Sequence, residues 1–279
     1  KGNIALLENN DVTPELLERI SLFHAAKLMS QFFENPNTPI VISNACISGI
    51  AALLFAKRLL ETGAYENAIV VGADTITKFV FSGFKSFRAL SAGKCKPFSA
   101  DRDGINLGEA ATTIILTTQP TSTNKLQLKG GATSNDANHI SGPSKTGDEL
   151  SFAINKALSE ANISANEIDF ISAHGTATLF NDEMEAKAFH SSRLFNIPIN
   201  SLKGYFGHTL GAAGLVESII SILSLENNVV VPTLGFTTLG VPVAANICNE
   251  TIRQPMKYFL KTASGFGGCN GALVFGKVD

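Results

Sequence analysis

Strand-length apolar runs alternate with longer segments of helical periodicity along most of this chain, and that alternation restricts the fold more than any other feature. Residues 67–73 (NAIVVGA), 111–116, 168–173, 198–201, 259–264 and 272–276 are apolar and bounded by small or turn-forming residues, as buried strands are. Residues 13–33, 46–63, 148–162, 181–191 and 211–225 instead place apolar side chains at helical spacing, with Thr13 and Pro14 opening the first helix and Gly63 closing the second. Strands interleaved with such helices imply parallel pairing with helices on both faces of a sheet. Further strands are expected over 2–7, 39–43 and 126–130, whereas 79–100 reads as irregular because Gly83, Gly93 and Pro97 interrupt it. The threonine-rich bridge 117–125 divides the chain into two successive α/β halves, 1–118 and 119–279.

The 279 residues are 44% hydrophobic and 16% charged, which suits a well-packed globular chain and excludes a disordered one. A formal net charge of -2 with no block of like charges gives neither nucleic acid nor an anionic membrane surface an electrostatic footing. Four cysteines without a CxxC pair, and no histidine at ligand spacing, argue against a zinc site and fit a reducing, cytoplasmic setting. The longest apolar run, 47–56, is too short to span a bilayer and continues into Lys57 and Arg58. With neither an initiator Met nor a signal peptide, position 1 is expected not to be the natural start.

Candidate chemistry gathers after strands. Cys46 falls at a predicted strand-to-helix turn, where unpaired helix amides and the helix dipole favour a thiolate; a buried core cysteine fits the same pattern. His174, in AHGTAT, follows a buried strand and is a candidate acid–base or donor group, although a core histidine bonded to backbone would also sit there. His208 precedes a run of small residues (GAAG) that lets backbone approach a ligand or simply packs helices. Lys203, five residues earlier, would polarise its neighbours if buried. Asp182 and Glu185 suit the start of a helix electrostatically, and Glu185 is a candidate partner for Lys203. Four glycines in SGFGGCNG exceed what a simple turn needs, and Phe266 is its one bulky residue. A phosphate-cradling loop is disfavoured, since neither GxxxxGK[ST] nor a helix-opening GxGxxG is present.

The motifs NACISG (44–49), PFSADRDGINLGEAA (97–111), AHGTATLFNDEMEA (173–186), KGYFGHTLGAAGLVES (203–218) and SGFGGCNGALVF (264–275) resemble, in order, the signature segments of β-ketoacyl-acyl carrier protein synthases. These are condensing enzymes of the thiolase superfamily. The resemblance covers the chain from about residue 40 onward and implies the Cys-His-His subclass: Cys46 as acylated nucleophile, His174 and His208 as the histidine pair, Lys203 as the accompanying lysine. It further implies that Thr176 and Thr178 contact a phosphopantetheine arm, that Phe266 is a gating aromatic, that the amides of Cys46 and Phe266 form an oxyanion hole, and that Glu185 supports Lys203.

The implied reaction transfers an acyl chain to Cys46 and condenses it with malonyl-acyl carrier protein after decarboxylation, in fatty-acid, polyene or polyketide assembly. It needs no metal or resident cofactor, because phosphopantetheine arrives on the carrier protein. The implied partners are acyl carrier protein and a second subunit, in a homodimer or a heterodimer with a chain-length subunit. Lys57, Arg58, Lys94 and Lys96 are candidates for a carrier-docking patch.

Family members carry a longer portion ahead of the nucleophile than the 45 residues here, so the expected fold is a thiolase-like duplicated αβαβα arrangement with an incomplete N-terminal half. Cys269 stands where the family commonly has Thr, and it keeps a thiolase-like acyltransferase open as an alternative, since such enzymes use a second cysteine near this loop. A non-catalytic chain-length subunit is the other alternative; Cys46 and both histidines count against it.

Overall fold

The computed structural model describes residues 12–119, 126–137 and 140–278; the strand expected over 2–7 and most of the bridge 117–125 lie outside the described residues. The packing forms two compact units, Lys1–Ser43 and Asn44–Asp279, and the second contains parts of both expected halves. In the first unit, the hydroxyl of Thr13 accepts the Leu16 amide (3.2 Å) and opens α1 (Pro14–Ile20). The helix expected over 13–33 breaks at Ser21, whose extended backbone and hydroxyl, accepting from the His24 amide (3.0 Å), start α2 (Leu22–Phe32). Residues 39–43 form no strand, and Ile40 and Val41 are exposed: apolar β-branched composition does not by itself supply a ladder partner.

In the second unit, β1 (Asn67–Asp74) and β2 (Ala110–Thr117) pair antiparallel. A five-stranded sheet runs β3 (Leu126–Asn135), β9 (Cys269–Lys277), β8 (Tyr258–Gly265), β4 (Phe170–Ser172), β5 (Ile199–Asn200), and a small antiparallel pair joins β6 (Val229–Val230) to β7 (Ile252–Arg253). Among the described strands β8–β4 and β4–β5 pair parallel and the other pairs are antiparallel, which corrects the expectation of parallel pairing. The reason is connection length: three residues, 266–268, separate β8 from β9, enough for a hairpin and far too few for a parallel crossover.

Side-chain alternation along the central strands feeds two cores. Ile171, Leu260, Ala272 and Val274 pack with α5 (Asp148–Ala161) and α6 (Leu179–Ser191). Phe170, Phe259, Ala263, Leu273 and Phe275 pack with Ile50 and Leu53 of α3 (Ser48–Glu61) and Leu215 and Leu225 of α8 (Ala213–Glu226). Helices α3 and α8 also pack on β1 and β2, so they are sandwiched between the two sheets. A Cβ on Gly49 would lie 2.8 Å from the Leu215 amide nitrogen, and one on Gly214 2.9 Å from that of Ile50; only paired glycines let these helices approach so closely.

The stretch 79–100, expected to be irregular, contains α4 (Lys78–Ser86), capped by Thr77 accepting from the Val80 amide (3.2 Å). A single helical turn, α7 (Lys203–Phe206), follows β5. No helix among the described residues is long and apolar enough to cross a membrane.

Candidate active site

Cys46 sits in the turn that opens α3. Ala45 ahead of it takes φ +45°, a left-handed conformation costly for a residue with a Cβ, and the turn is closed by Ile47 N–H to Asn44 O (3.1 Å) and Ser48 N–H to Ala45 O (3.2 Å). Gly265 at the end of β8 lies against this turn, where a Cβ would come within 3.0 Å of the Cys46 nitrogen. The sulfur is buried, and the Phe266 amide donates toward it. Burial pushes the thiol up to about 11, against the Lys203 charge and the Phe266 amide, which both pull it down. The resting group is therefore a thiol, which corrects the expectation of a stabilised thiolate: the helix terminus is there, but desolvation outweighs it.

His174 follows β4, and His208 follows α7. Both are buried, their rings meet edge to face with centroids 5.1 Å apart, and one nitrogen from each lies with the Cys46 sulfur inside a group whose atoms are all within 4.8 Å of one another. Burial first, and then the charge of Lys203, hold both imidazoles well below their ordinary range, so both are neutral near pH 7. Lys203 Nζ is 3.2 Å from His174 Nδ1 and donates to His174 O (2.6 Å). An ammonium can only donate, so Nδ1 accepts and the proton of the neutral ring resides on Nε2. Among the described residues neither ring nitrogen of His208 has a hydrogen-bond partner, the state of a buried polar group that awaits a ligand. Its backbone is fixed by residues of the DGINLGEA stretch: His208 N–H donates to Asn106 O (2.7 Å) and Gly108 N–H to His208 O (2.9 Å).

The expected Glu185–Lys203 pair does not form. Glu185 instead accepts the backbone amides of His174 (2.6 Å) and Gly175 (2.7 Å) and the hydroxyl of Thr262 (2.7 Å). Lys203 pairs with Glu217 of α8 (2.6 Å), whose other oxygen lies 2.7 Å from Lys261 Nζ. Burial would raise Glu217, but the two ammonium charges outweigh it and keep the carboxylate ionised. Glu217 and Lys261 were missed, although each leaves a signal in the sequence: a lone acid in the apolar helix 211–225 and a lone base in the apolar strand 259–264. A metal ion bridging Cys46, His174 and His208 is reachable by distance alone, yet two buried ammonium groups behind the histidines make the place unfavourable for a cation.

Phe266 is half-buried and packs against Phe84 (5.5 Å between centroids) and Phe87 (5.3 Å), and Phe84 in turn meets the His208 ring edge-on at 6.3 Å. The spacing of Phe81, Phe84 and Phe87 is a helical signal inside the stretch expected to be irregular. Thr176 and Thr178 share a hydroxyl hydrogen bond (2.7 Å) just beyond His174. Asp182 is more than a helix-dipole acid: fully buried, it accepts the amides of Phe98 (2.7 Å) and Thr176 (2.9 Å), and burial lifts it to about 6.

The candidate docking cations are mostly engaged. Lys57 is buried and pairs with Glu61 and Glu160, Arg58 pairs with the same two acids, and Lys96 pairs with Asp101. Cys269 donates through its sulfur to Asn44 Oδ1 (2.7 Å).

Two family descriptions match: "Beta-ketoacyl synthase, N-terminal domain" over residues 8–122 and "Beta-ketoacyl synthase, C-terminal domain" over 127–237. The chain belongs to the β-ketoacyl synthase family. It is 33% identical to a 3-oxoacyl-[acyl-carrier-protein] synthase 2 of Mycobacterium leprae over 86% of this chain and 60% of that protein. It is similar to a chain of the solved structure described as ketosynthase (ApeO) in complex with its chain length factor (ApeC) from Xenorhabdus doucetiae (33% identity, TM-score 0.88, 92% of this chain and 65% of that one). A second solved relative is AntDE:AntF, described as a type II PKS acyl-carrier protein in complex with its ketosynthase (28% identity, TM-score 0.89, 96% and 70%). The thiolase-like α/β fold expected from the motifs is thus shown, and this β-ketoacyl synthase chain spans about 60% of the Mycobacterium leprae relative's length.

Proposed function

We propose that this β-ketoacyl synthase chain performs decarboxylative condensation of a Cys46-bound acyl group with a malonyl thioester on acyl carrier protein, the reaction class of fatty-acid or polyketide assembly. The observation that carries the reading is the convergence of the Cys46 sulfur with two neutral, buried imidazoles, one of them held by Lys203 with its N–H on Nε2.

In the loading half-reaction the Cys46 sulfur attacks the carrier thioester. Its proton leaves toward a neutral imidazole as the new C–S bond forms, and is delivered to the departing phosphopantetheine sulfur. The tetrahedral oxygen is held by the amides of Cys46 and Phe266. In the second half-reaction the malonyl thioester takes its place beside Thr176 and Thr178, and its carbonyl oxygen accepts from His174 Nε2–H and from His208. Carbon dioxide departs, its bonding pair becomes the enolate, and the enolate carbon attacks the Cys46 thioester. Collapse of that second tetrahedral centre expels the Cys46 thiolate, which takes up a proton from water to restore the resting thiol, and leaves a β-ketoacyl chain on the carrier. Neutral donors suit this chemistry, because they stabilise a developing oxyanion without surrendering a proton that would quench the enolate. Phosphopantetheine arrives with the carrier, so the steps use only the chain's own groups and water.

The solved ketosynthases bound to a chain length factor and to an acyl carrier protein support the same kinds of partner here, with a homodimer as the other arrangement. The cysteine pattern supports a cytoplasmic setting: all four cysteines are free. Mass spectrometry of the full-length protein, after exposure to acyl-loaded and then malonyl-loaded carrier, tests the reading. An acyl adduct on Cys46 that is discharged as β-ketoacyl-carrier supports it. No adduct on Cys46, or an adduct that malonyl-carrier does not discharge, would overturn it.

A further inference from the structure

Lys261 has no part in the steps above, yet it is fully buried and its surroundings converge on His174. Its Nζ donates to the carbonyls of Ser172 (3.1 Å), Ala173 (3.3 Å) and Thr262 (2.7 Å) and lies 2.7 Å from Glu217 Oε2. Lys203 continues the series by taking the next carbonyl, that of His174, and the other oxygen of Glu217. Three successive carbonyls at the end of β4 are therefore held by two ammonium groups that one carboxylate bridges. On the amide side the neighbouring Thr262 donates to Glu185, which accepts from His174 and Gly175. Burying a second ammonium beside the first is costly, and a single carboxylate does not neutralise both charges. An apolar residue would fill this place in β8 with less penalty, so stability alone does not account for a lysine.

We propose that Lys261 is a positioning residue for the histidine pair: it takes one oxygen of Glu217, leaving the other to aim Lys203 at His174 Nδ1, and it clamps the carbonyls that lead into His174. The inference deepens the condensation reading and rests on it. Lys261 acts mainly on decarboxylation, in which His174 Nε2–H donates to the developing oxyanion, and little on the acylation of Cys46. It also has an electrostatic side. The charged groups facing the imidazoles are Lys203 and Lys261, with Glu217 between them and Glu185 under the His174 backbone, and the titratable but neutral Cys46 thiol lies across the site. The Lys261 charge adds to burial and Lys203 in keeping both rings unprotonated.

The test compares full-length wild-type protein with Lys261→Ala and Lys261→Gln, measuring acyl loading of Cys46 and decarboxylation of malonyl-carrier separately across pH. Gln keeps N–H donors for the carbonyl oxygens and removes the charge, so it carries the test if the alanine variant does not fold. Loading is expected to stay within about twofold of wild type, while decarboxylation falls roughly 10- to 100-fold in Lys261→Ala, the scale on which a misplaced group costs rate. In Lys261→Gln the acid limb of the decarboxylation profile is expected to move up by about one unit, since the rings lose a repelling charge. A Lys261→Gln profile superimposed on wild type, or loading and decarboxylation falling in parallel, would overturn the proposal. Wild-type protein that loads Cys46 without decarboxylating malonyl-carrier sinks the condensation reading instead. Histidine NMR titration then still decides Lys261, supporting it if the rings of Lys261→Gln take up protons at higher pH than wild type and rejecting it if they do not.

Discussion

At Cys46 burial and a nearby ammonium pull the thiol in opposite directions, and burial wins, so nucleophilicity must be released during the encounter with substrate and not stored beforehand. Replacement by Ala is predicted to abolish acyl loading, read as loss of the covalent mass adduct; labelling by an acyl or epoxide probe at Cys269 alone would reject the assignment. His174→Ala and His208→Ala are predicted to slow malonyl decarboxylation by roughly 10²–10³ while affecting loading less, since each removes a donor to the developing oxyanion; equal loss in both half-reactions would count against that role. Because burial and Lys203 depress both imidazoles well below 6.5, the wild-type decarboxylation rate should persist as pH falls through that value. Stability follows the matching sign: unfolded histidines take up protons near 6.5 and the folded ones do not, so stability present above that pH declines as pH falls toward the folded values. Thermal unfolding and initial rates measured over the same pH series check both statements. The identities of Cys46, His174, His208 and Lys203 were legible from motif and spacing. The partner of Lys203 was not, because Glu185 and Glu217 are both acids at plausible distance in sequence and only the fold decides which reaches the ammonium.

Elements became legible in proportion to how locally they are determined. Helices 148–162 and 211–225 were read nearly to the residue because periodicity and flanking Asn or Gly are local signals, and α1 was announced by its Thr13 cap and Pro14. Strand direction was not legible, since parallel and antiparallel partners share one composition; the three-residue connection 266–268 was the available clue. The paired glycines between α3 and α8 carry a prediction of their own. Gly49→Ala should destabilise the protein by about 1–3 kcal/mol, because its Cβ would press on the backbone of α8, which cannot swing aside like a side chain. Denaturant unfolding measures it, and an unchanged midpoint would refute close helix contact there.

For the molecule as a whole, two charge clusters differ in burial, the first fully buried and the second partly exposed at Arg58 and Glu61. Lys203, Glu217 and Lys261 lie behind the imidazoles, whereas Lys57, Arg58, Glu61 and Glu160 tie α3 to α5. Arg58→Ala and Lys57→Ala are therefore predicted to lower thermal stability and to leave the KM for carrier protein unchanged; a raised KM with unaltered unfolding would restore these residues to a docking patch. By itself the sequence determined the family, the alternation of strands and helices, and the four side chains, Cys46, His174, His208 and Lys203, that the fold brings together, because motif identity and periodicity are properties of neighbours along the chain. Only the tertiary structure decided the protonation of Cys46, the neutrality of the imidazoles, the choice of Glu217 over Glu185 and the presence of Lys261. Each of these depends on desolvation and on charges brought together from elements distant in sequence, and neither quantity exists until the chain has folded.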